Sequence, residues 1–175
     1  MEKINVAVVG YGGMGKYHAD NISKFENFNL VGIYDIKEER RNLAIENGVK
    51  AYESFEAVLQ DDAIELIVCA TYNDSHKDIA IRAMKAGKNV ISEKPVTLCS
   101  ADLAEMIKAS EETGKLFTVH QNRRWDNDYR TIRNVIDKNE LGKVFTIESR
   151  VYGSRGIPGD WRQEKVHGGG MVFDW

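Results

Sequence analysis

Proline and cysteine are scarce in this chain of 175 residues, with two of each, and no apolar run approaches the ~20 residues that a membrane-spanning helix needs. Two prolines against 15 glycines exclude a proline-rich disordered chain. Cys69 lies in the apolar run from Leu66 to Ala70, and Cys99 follows an expected turn. Neither belongs to a CxxC or zinc-type cluster, so no metal is expected and a reducing cytoplasm suits both thiols. Excess positive charge is also lacking: a net charge of −3 gives no electrostatic reason to expect nucleic acid as a partner. The N-terminus passes from Met1-Glu2-Lys3 directly into Ile4-Asn5-Val6-Ala7-Val8-Val9 without an export signal, so neither secretion nor membrane insertion is expected. What remains is a globular composition, 42% hydrophobic and 29% charged, long enough for one domain with or without the start of another.

Short β-branched runs alternate with segments of helical period. That alternation predicts an α/β fold with a doubly wound parallel sheet joined by crossover helices. Strands are expected at Ile4 to Val9, Leu30 to Tyr34, Leu66 to Ala70, Asn89 to Ser92 and Phe117 to His120, with a weaker one at Lys50 to Tyr52. Their unalternating apolar character suits strands covered on both faces. Helices are expected from Lys37 to Asn47, closed by Gly48, and from Ser75 to Ala86, closed by Gly87. Another opens at Ser100 or Ala101 and stops at Gly114. Residues 1–120 form a self-contained unit on this reading. A second unit, 121–175, then begins: Tyr129, Ile132, Val135 and Ile136 mark a helix ended near Gly142, and Lys143 to Tyr152 reads as a long strand that needs neighbours.

Gly10-Tyr11-Gly12-Gly13-Met14-Gly15 matches GxGxxG directly after the first strand and at the mouth of a helix, the setting in which this pattern cradles a dinucleotide. Gly10 permits a tight turn, Gly12 lets the backbone approach a pyrophosphate, and Gly15 lets helix and strand pack closely. Tyr11 and Met14 are expected to pack over the loop. Asp35 ends the second strand about 20 residues on, where a carboxylate can accept hydrogen bonds from ribose hydroxyls and repel a 2′-phosphate. NAD is therefore favoured, while Lys37, Arg40 and Arg41 nearby leave NADP open. The alternative role for Asp35 is to cap the helix that starts at Lys37.

Glu93-Lys94-Pro95 follows the Asn89 to Ser92 strand, at the carboxyl edge where open α/β sheets bind ligands. A lysine there can donate a hydrogen bond to a substrate oxygen and exchange its proton. The Lys94-Pro95 bond can be cis or trans. Asn73 and His76 follow the Leu66 strand and approach the same edge, with loop capping and helix packing as the alternative roles. His120, Gln121, Asn122 and Arg124 leave the last strand towards the substrate side, with an ordinary salt bridge as the alternative for Arg124. His18 and His167 read as structural.

GYGGMGKYHADN at residues 10–21, AGKNVISEKP at 86–95 and WRQEKVHGGGMVFDW at 161–175 resemble the glucose-fructose oxidoreductase, inositol dehydrogenase and rhizopine-catabolism (Gfo/Idh/MocA) family along the whole chain. The resemblance implies an NAD(P)-dependent oxidoreductase acting on a sugar or cyclitol, with a Rossmann-type domain followed by an α/β domain whose sheet mediates homo-oligomerisation. It implies that Lys94 is catalytic, and that Trp161 and Arg162 line the nicotinamide and substrate pocket. Glu93 joins the cofactor site, and Gln121, Asn122 and Arg124 the substrate site. Asp174 opens a catalytic Asp-x-x-x-His pair whose histidine falls at the fourth residue after it, past Trp175, so this chain is expected to be the front half of a longer enzyme lacking part of the catalytic site. The competing function is a non-catalytic dinucleotide-binding or sensing module.

Overall fold

The structure, a computed structural model, describes residues 3–150, 152 and 159–170. A five-stranded parallel sheet contains β1 (Ile4–Val9), β2 (Phe28–Tyr34), β3 (Leu66–Cys69), β4 (Asn89–Ser92) and β5 (Phe117–Val119), in the order β2-β1-β3-β4-β5. From β1 the chain winds first to one side and then, with β3, to the other. The resulting switch point lies between β1 and β3, and the carboxyl ends of those strands border a crevice there.

Alternation along β1 divides the core between two faces. Val6 and Val8 pack with Ala19 and Ile22 of α1 (Gly13–Ile22) and Ala44 of α2 (Glu38–Glu46). Ala7 and Val9 point the other way, towards Phe55 and Val58 of α3 (Phe55–Gln60), Ala80, Ala83 and Met84 of α4 (His76–Lys85), and Met106 and Ala109 of α5 (Ser100–Thr113). Both faces of the sheet are covered, which is why its central strands can be apolar at every position. The expected doubly wound α/β architecture is present.

Three features depart from the sequence reading. Lys50 to Tyr52 is not a strand: it makes one bridge, Ala51 to Ile33, and the Tyr52 ring then packs so closely over Gly32 that a Cβ on that glycine would lie 2.9 Å from the ring. The chain turns at once into α3, a helix the periodicity did not reveal, capped by the Ser54 hydroxyl, which accepts the Ala57 N–H at 3.1 Å. Beyond α6 (Asn127–Asp137), the expected strand from Lys143 is also not formed: residues 143–150 have no ladder partner among the described residues. Phe145 is 93% exposed and Ile147 70%. A strand owes its stability to hydrogen bonding and burial against neighbours, so alternation in the sequence cannot make one alone.

Candidate active site

Strand register decides what meets at the carboxyl edge. Val9 pairs with Tyr34 and with Cys69, Cys69 with Ser92, and Ser92 with Val119. The next residue of each strand, Gly10, Asp35, Ala70, Glu93 or His120, therefore falls in one row. Backbone bonds extend the ladder into that row: the Gly10 N–H donates to the Tyr34 carbonyl at 2.7 Å, and those of Glu93 and His120 to the Cys69 and Ser92 carbonyls at 2.8 Å each.

At the β1 end of the row the chain turns through Gly10, whose φ of +92° favours glycine and where a Cβ would lie 2.4 Å from the Ala70 carbonyl oxygen. Gly15 is equally constrained, since a Cβ there would sit 1.8 Å from the Gly10 carbonyl oxygen. The two glycines between them are different. Gly12 has φ −77° and ψ −162°, extended backbone open to any residue, and an added Cβ would meet only the end of the Arg40 side chain. At Gly13 a Cβ would meet nothing within 4 Å. Neither the backbone packing nor the backbone geometry within the chain calls for glycine at 12 and 13. No side chain caps α1 and no acidic residue occupies its first turn, which leaves the positive end of the helix to an external anion. A dinucleotide pyrophosphate fits this cradle.

Asp35 is 6% exposed, and its carboxylate bonds to backbone on both sides of the edge. One carboxylate oxygen accepts the Tyr11 N–H at 2.6 Å and the other the Lys37 N–H at 2.8 Å, just ahead of α2. The carboxylate thus ties the glycine-rich loop to the start of α2 and keeps further lone pairs for a ribose hydroxyl. Arg40 stands 3.8 Å from it and reaches across Gly12. Tyr11 packs beneath the loop in the core rather than over it, with its hydroxyl unpartnered among the described residues, whereas Met14 is exposed.

Glu93 is the centre of the opposite half of the edge. Its Oε1 accepts hydrogen bonds from His18 Nε2 at 2.6 Å and His120 Nδ1 at 2.9 Å, and its Oε2 accepts the Lys94 N–H at 3.2 Å. Burial pushes the Glu93 carboxyl up, but the hydrogen bond from His18 and the charges of both imidazoles outweigh it, and the group sits below its ordinary value. Lys94 is half-buried, and the Lys94-Pro95 bond is cis. His76, fully buried at the start of α4, has Nδ1 3.0 Å from the Pro95 carbonyl oxygen and Nε2 3.3 Å from that of Thr71. Burial pushes this imidazole down, so it is neutral and donates to one carbonyl at a time while supporting the turn that carries Lys94.

The loop after β3 completes the crevice. Asn73 is buried, and its side-chain amide points to the Gly168 carbonyl at 3.4 Å. Tyr72 meets the Trp161 ring at 5.2 Å and the His167 ring at 4.6 Å, and the Arg162 guanidinium stacks on Trp161 at 4.7 Å. Trp161 and Arg162 are thereby brought onto the switch-point loop, with His167 held by Asp74 at 3.0 Å. Gln121, Asn122 and Arg124 occupy the turn directly after His120, with Gln121 and Arg124 exposed. Asp174 lies outside the described residues. His18, expected to be structural, reaches the carboxyl edge through its hydrogen bond to Glu93. The signal for it was available, because it lies on the stripe of α1 that buries Gly15, Ala19 and Ile22.

A pyrophosphate cradle at a switch point, a carboxylate ending β2 and a lysine at the same edge define the class: a nicotinamide-dinucleotide-binding Rossmann fold of oxidoreductase type. A family model for the Gfo/Idh/MocA oxidoreductases, described as having an NAD-binding Rossmann fold, matches residues 4–121, and a Gfo/Idh/MocA C-terminal domain model matches residues 129–175. The chain belongs to the Gfo/Idh/MocA family. It is 27% identical over 176 residues to a scyllo-inositol 2-dehydrogenase (NADP(+)) of Bacillus subtilis, an alignment covering 99% of this chain and 49% of that protein. A myo-inositol 2-dehydrogenase of Thermotoga maritima is 28% identical over 151 residues, or 84% of this chain and 45% of that protein. The solved structure of an NAD-binding protein from Listeria innocua has a TM-score of 0.97 at 48% identity, covering 100% of this chain and 50% of that one. The chain spans about half the length of these relatives. No helix of the described residues is long and apolar enough to cross a membrane.

Proposed function

We propose that this chain is the cofactor-binding half of an NAD(P)-dependent dehydrogenase that interconverts a hydroxyl and a carbonyl on a sugar or cyclitol. The observation that supports it most is the row at the carboxyl edge, where Gly10 and Asp35 on one side of the switch point and the Glu93-Lys94 pair on the other come from three different strands. Residues 1–120 form the dinucleotide unit on this reading, and 121–175 begin the substrate unit. Backbone amides of the Gly10 to Gly15 loop and the first turn of α1 hold the pyrophosphate. Asp35 accepts the adenosine ribose hydroxyls. Its negative charge favours NAD, and Arg40 beside it allows NADP; relatives named for each cofactor support both. When bound, the nicotinamide takes up or supplies the hydride.

Lys94 Nζ donates a hydrogen bond to the substrate oxygen and holds or returns its proton, with Asp174 contributing to the same exchange and Trp161 and Arg162 bordering the nicotinamide. Gln121, Asn122 and Arg124 contact substrate hydroxyls. Homo-oligomerisation through the second unit would cover Phe145, Ile147 and Tyr152, which are 93%, 70% and 82% exposed. Buried Cys69 and exposed Cys99, both free thiols, suit a reducing cytoplasm. The test is a full-length assay with NAD or NADP and a panel of sugars and cyclitols, read at the reduced-nicotinamide absorbance band. Lys94→Ala should lower kcat about 10²–10⁴-fold. Full turnover in that variant would sink the role of Lys94. Tight NAD binding without turnover on any member of the panel would favour the sensing-module alternative.

A further inference from the structure

Three hydrogen bonds converge on the buried Glu93 carboxylate from three parts of the chain: α1, the end of β5 and the Lys94 backbone. His18 and His120 address the same oxygen, their rings edge to face with centroids 4.8 Å apart. Side-chain exposure is 13% for His18, 8% for Glu93 and 31% for His120, so the cluster is shielded but within reach of solvent protons. A carboxylate only accepts, so each ring carries a proton on the nitrogen facing it. The remaining ring nitrogens, His18 Nδ1 and His120 Nε2, decide whether the cluster holds a net charge of −1, 0 or +1. We propose that His18, Glu93 and His120 form a proton-linked clamp that positions Lys94 against the phosphate-binding helix, so that the reactive geometry depends on the protonation of the two imidazoles. The inference rests on the reading of Lys94 as the residue that handles the substrate proton.

The clamp's location gives it that leverage. His18 lies one turn beyond Gly15 in the helix whose N-terminus receives the pyrophosphate, and Glu93 precedes Lys94. A change of charge on the imidazoles alters both the pull on the Glu93 side chain and the bond it makes to the Lys94 N–H. Among the described residues, Lys94 itself, Cys69 at the end of β3 and His76 at the start of α4 also bear on the carboxylate, and the Tyr17 ring is 6.0 Å from that of His18. Burial pushes the Cys69 thiol up to about 11 and pushes His76 down, so both are uncharged at neutral pH. The two imidazoles that share the Glu93 oxygen are therefore the groups through which a proton can change the charge of the cluster. The oxygen-to-nitrogen distances of 2.6 and 2.9 Å are those of hydrogen bonds. Ligands around one tetrahedral zinc, each about 2.0–2.1 Å from it, would stand about 3.3 Å apart.

The test has two arms. In the first, imidazole nitrogen NMR on this chain follows His18 and His120 across the neutral range. Coupled, two-step titration of both rings is expected, with both steps moving to lower pH in Glu93→Gln, because two cations this close repel each other and the carboxylate no longer stabilises either. Independent single-step curves in the unmodified chain overturn the proposal. So does stoichiometric zinc binding that Glu93→Gln abolishes, which would make the cluster a metal centre. The second arm compares kcat against pH in the full-length enzyme and in His18→Gln, whose side-chain amide still donates to Glu93 but does not titrate. The clamp requires the neutral-range ionisation of kcat to shift by about one pH unit or disappear, with Kd for NAD changed less than about threefold. An unchanged profile in His18→Gln refutes the clamp. Lack of turnover in unmodified enzyme instead refutes the dehydrogenase reading, and the NMR arm then decides the clamp alone.

Discussion

Gly10→Ala and Gly12→Ala, two residues apart in one loop, should fail in different ways. At position 10 alanine must adopt a φ of +92° and place its Cβ 2.4 Å from a backbone carbonyl oxygen that cannot rotate away. The conformational cost is about 1–2 kcal/mol and the overpacking cost about 1–3 kcal/mol, together about 2–5 kcal/mol out of a total stability of about 5–15 kcal/mol. At about 2–4 °C per kcal/mol for a chain of this size, the Tm should fall by about 4–20 °C. At position 12 the backbone is ordinary and the Cβ meets only the end of the Arg40 side chain, which can swing aside. Stability should change by less than about 1 kcal/mol, and in the stabilising direction if the unfolded chain loses entropy. On the proposed reading the same methyl group would stand in the path of the pyrophosphate, so the Kd for NAD should rise at least about tenfold, or ~1.4 kcal/mol. Urea and thermal unfolding with calorimetric NAD titration measure both quantities. The reasoning fails if Gly12→Ala binds NAD as tightly as the unmodified chain, or if it loses as much stability as Gly10→Ala.

Asp35→Asn keeps one side-chain oxygen for the Tyr11 or Lys37 amide and turns an NH2 group towards the other, so about 1–3 kcal/mol of stability should be lost in urea unfolding. With the charge gone and Arg40 still in place, the ratio of NADP to NAD dissociation constants should fall about tenfold or more, and an unchanged ratio would argue against Asp35 as the selecting residue. Burial pushes the Cys69 thiol up to about 11 from 9.0, so the unfolded chain loses this proton first as the pH rises. The stability associated with the group is fully present below about pH 9 and falls by about 2–3 kcal/mol by about pH 11. Cys69→Ala should flatten that part of the stability curve, and a slope equal to that of the unmodified chain would contradict it. Glu93 has the opposite sign: its carboxyl is held below 4.5, so its contribution is present above that pH and is lost as the pH falls through the lowered value. Glu93→Gln should remove that acid-limb slope in the same unfolding series.

Much of this protein is legible along the chain. The strands β1 to β5 follow from short apolar runs, and the helix ends at Gly48, Gly87 and Gly114 from residues whose positive φ the structure bears out. The glycine-rich loop and the placement of Asp35 and Lys94 at strand ends are equally local, because each depends on a few neighbouring residues. The failures came where an element depends on what lies beside it. Residues 143–150 have the alternation of a strand but no partner among the described residues, and Ala51 finds room for one bridge before Ser54 starts α3. His18 and Glu93 are 75 residues apart and Glu93 and His120 are 27 apart, and parallel register together with the winding of α1 over the sheet joins them. The sequence by itself determined the periodicity, the caps and the turn that admits a pyrophosphate, since these are settled by the backbone preferences of adjacent residues. Only the tertiary structure decided that two histidines share one buried carboxylate next to Lys94, because a contact between distant residues exists only once the sheet has set its register.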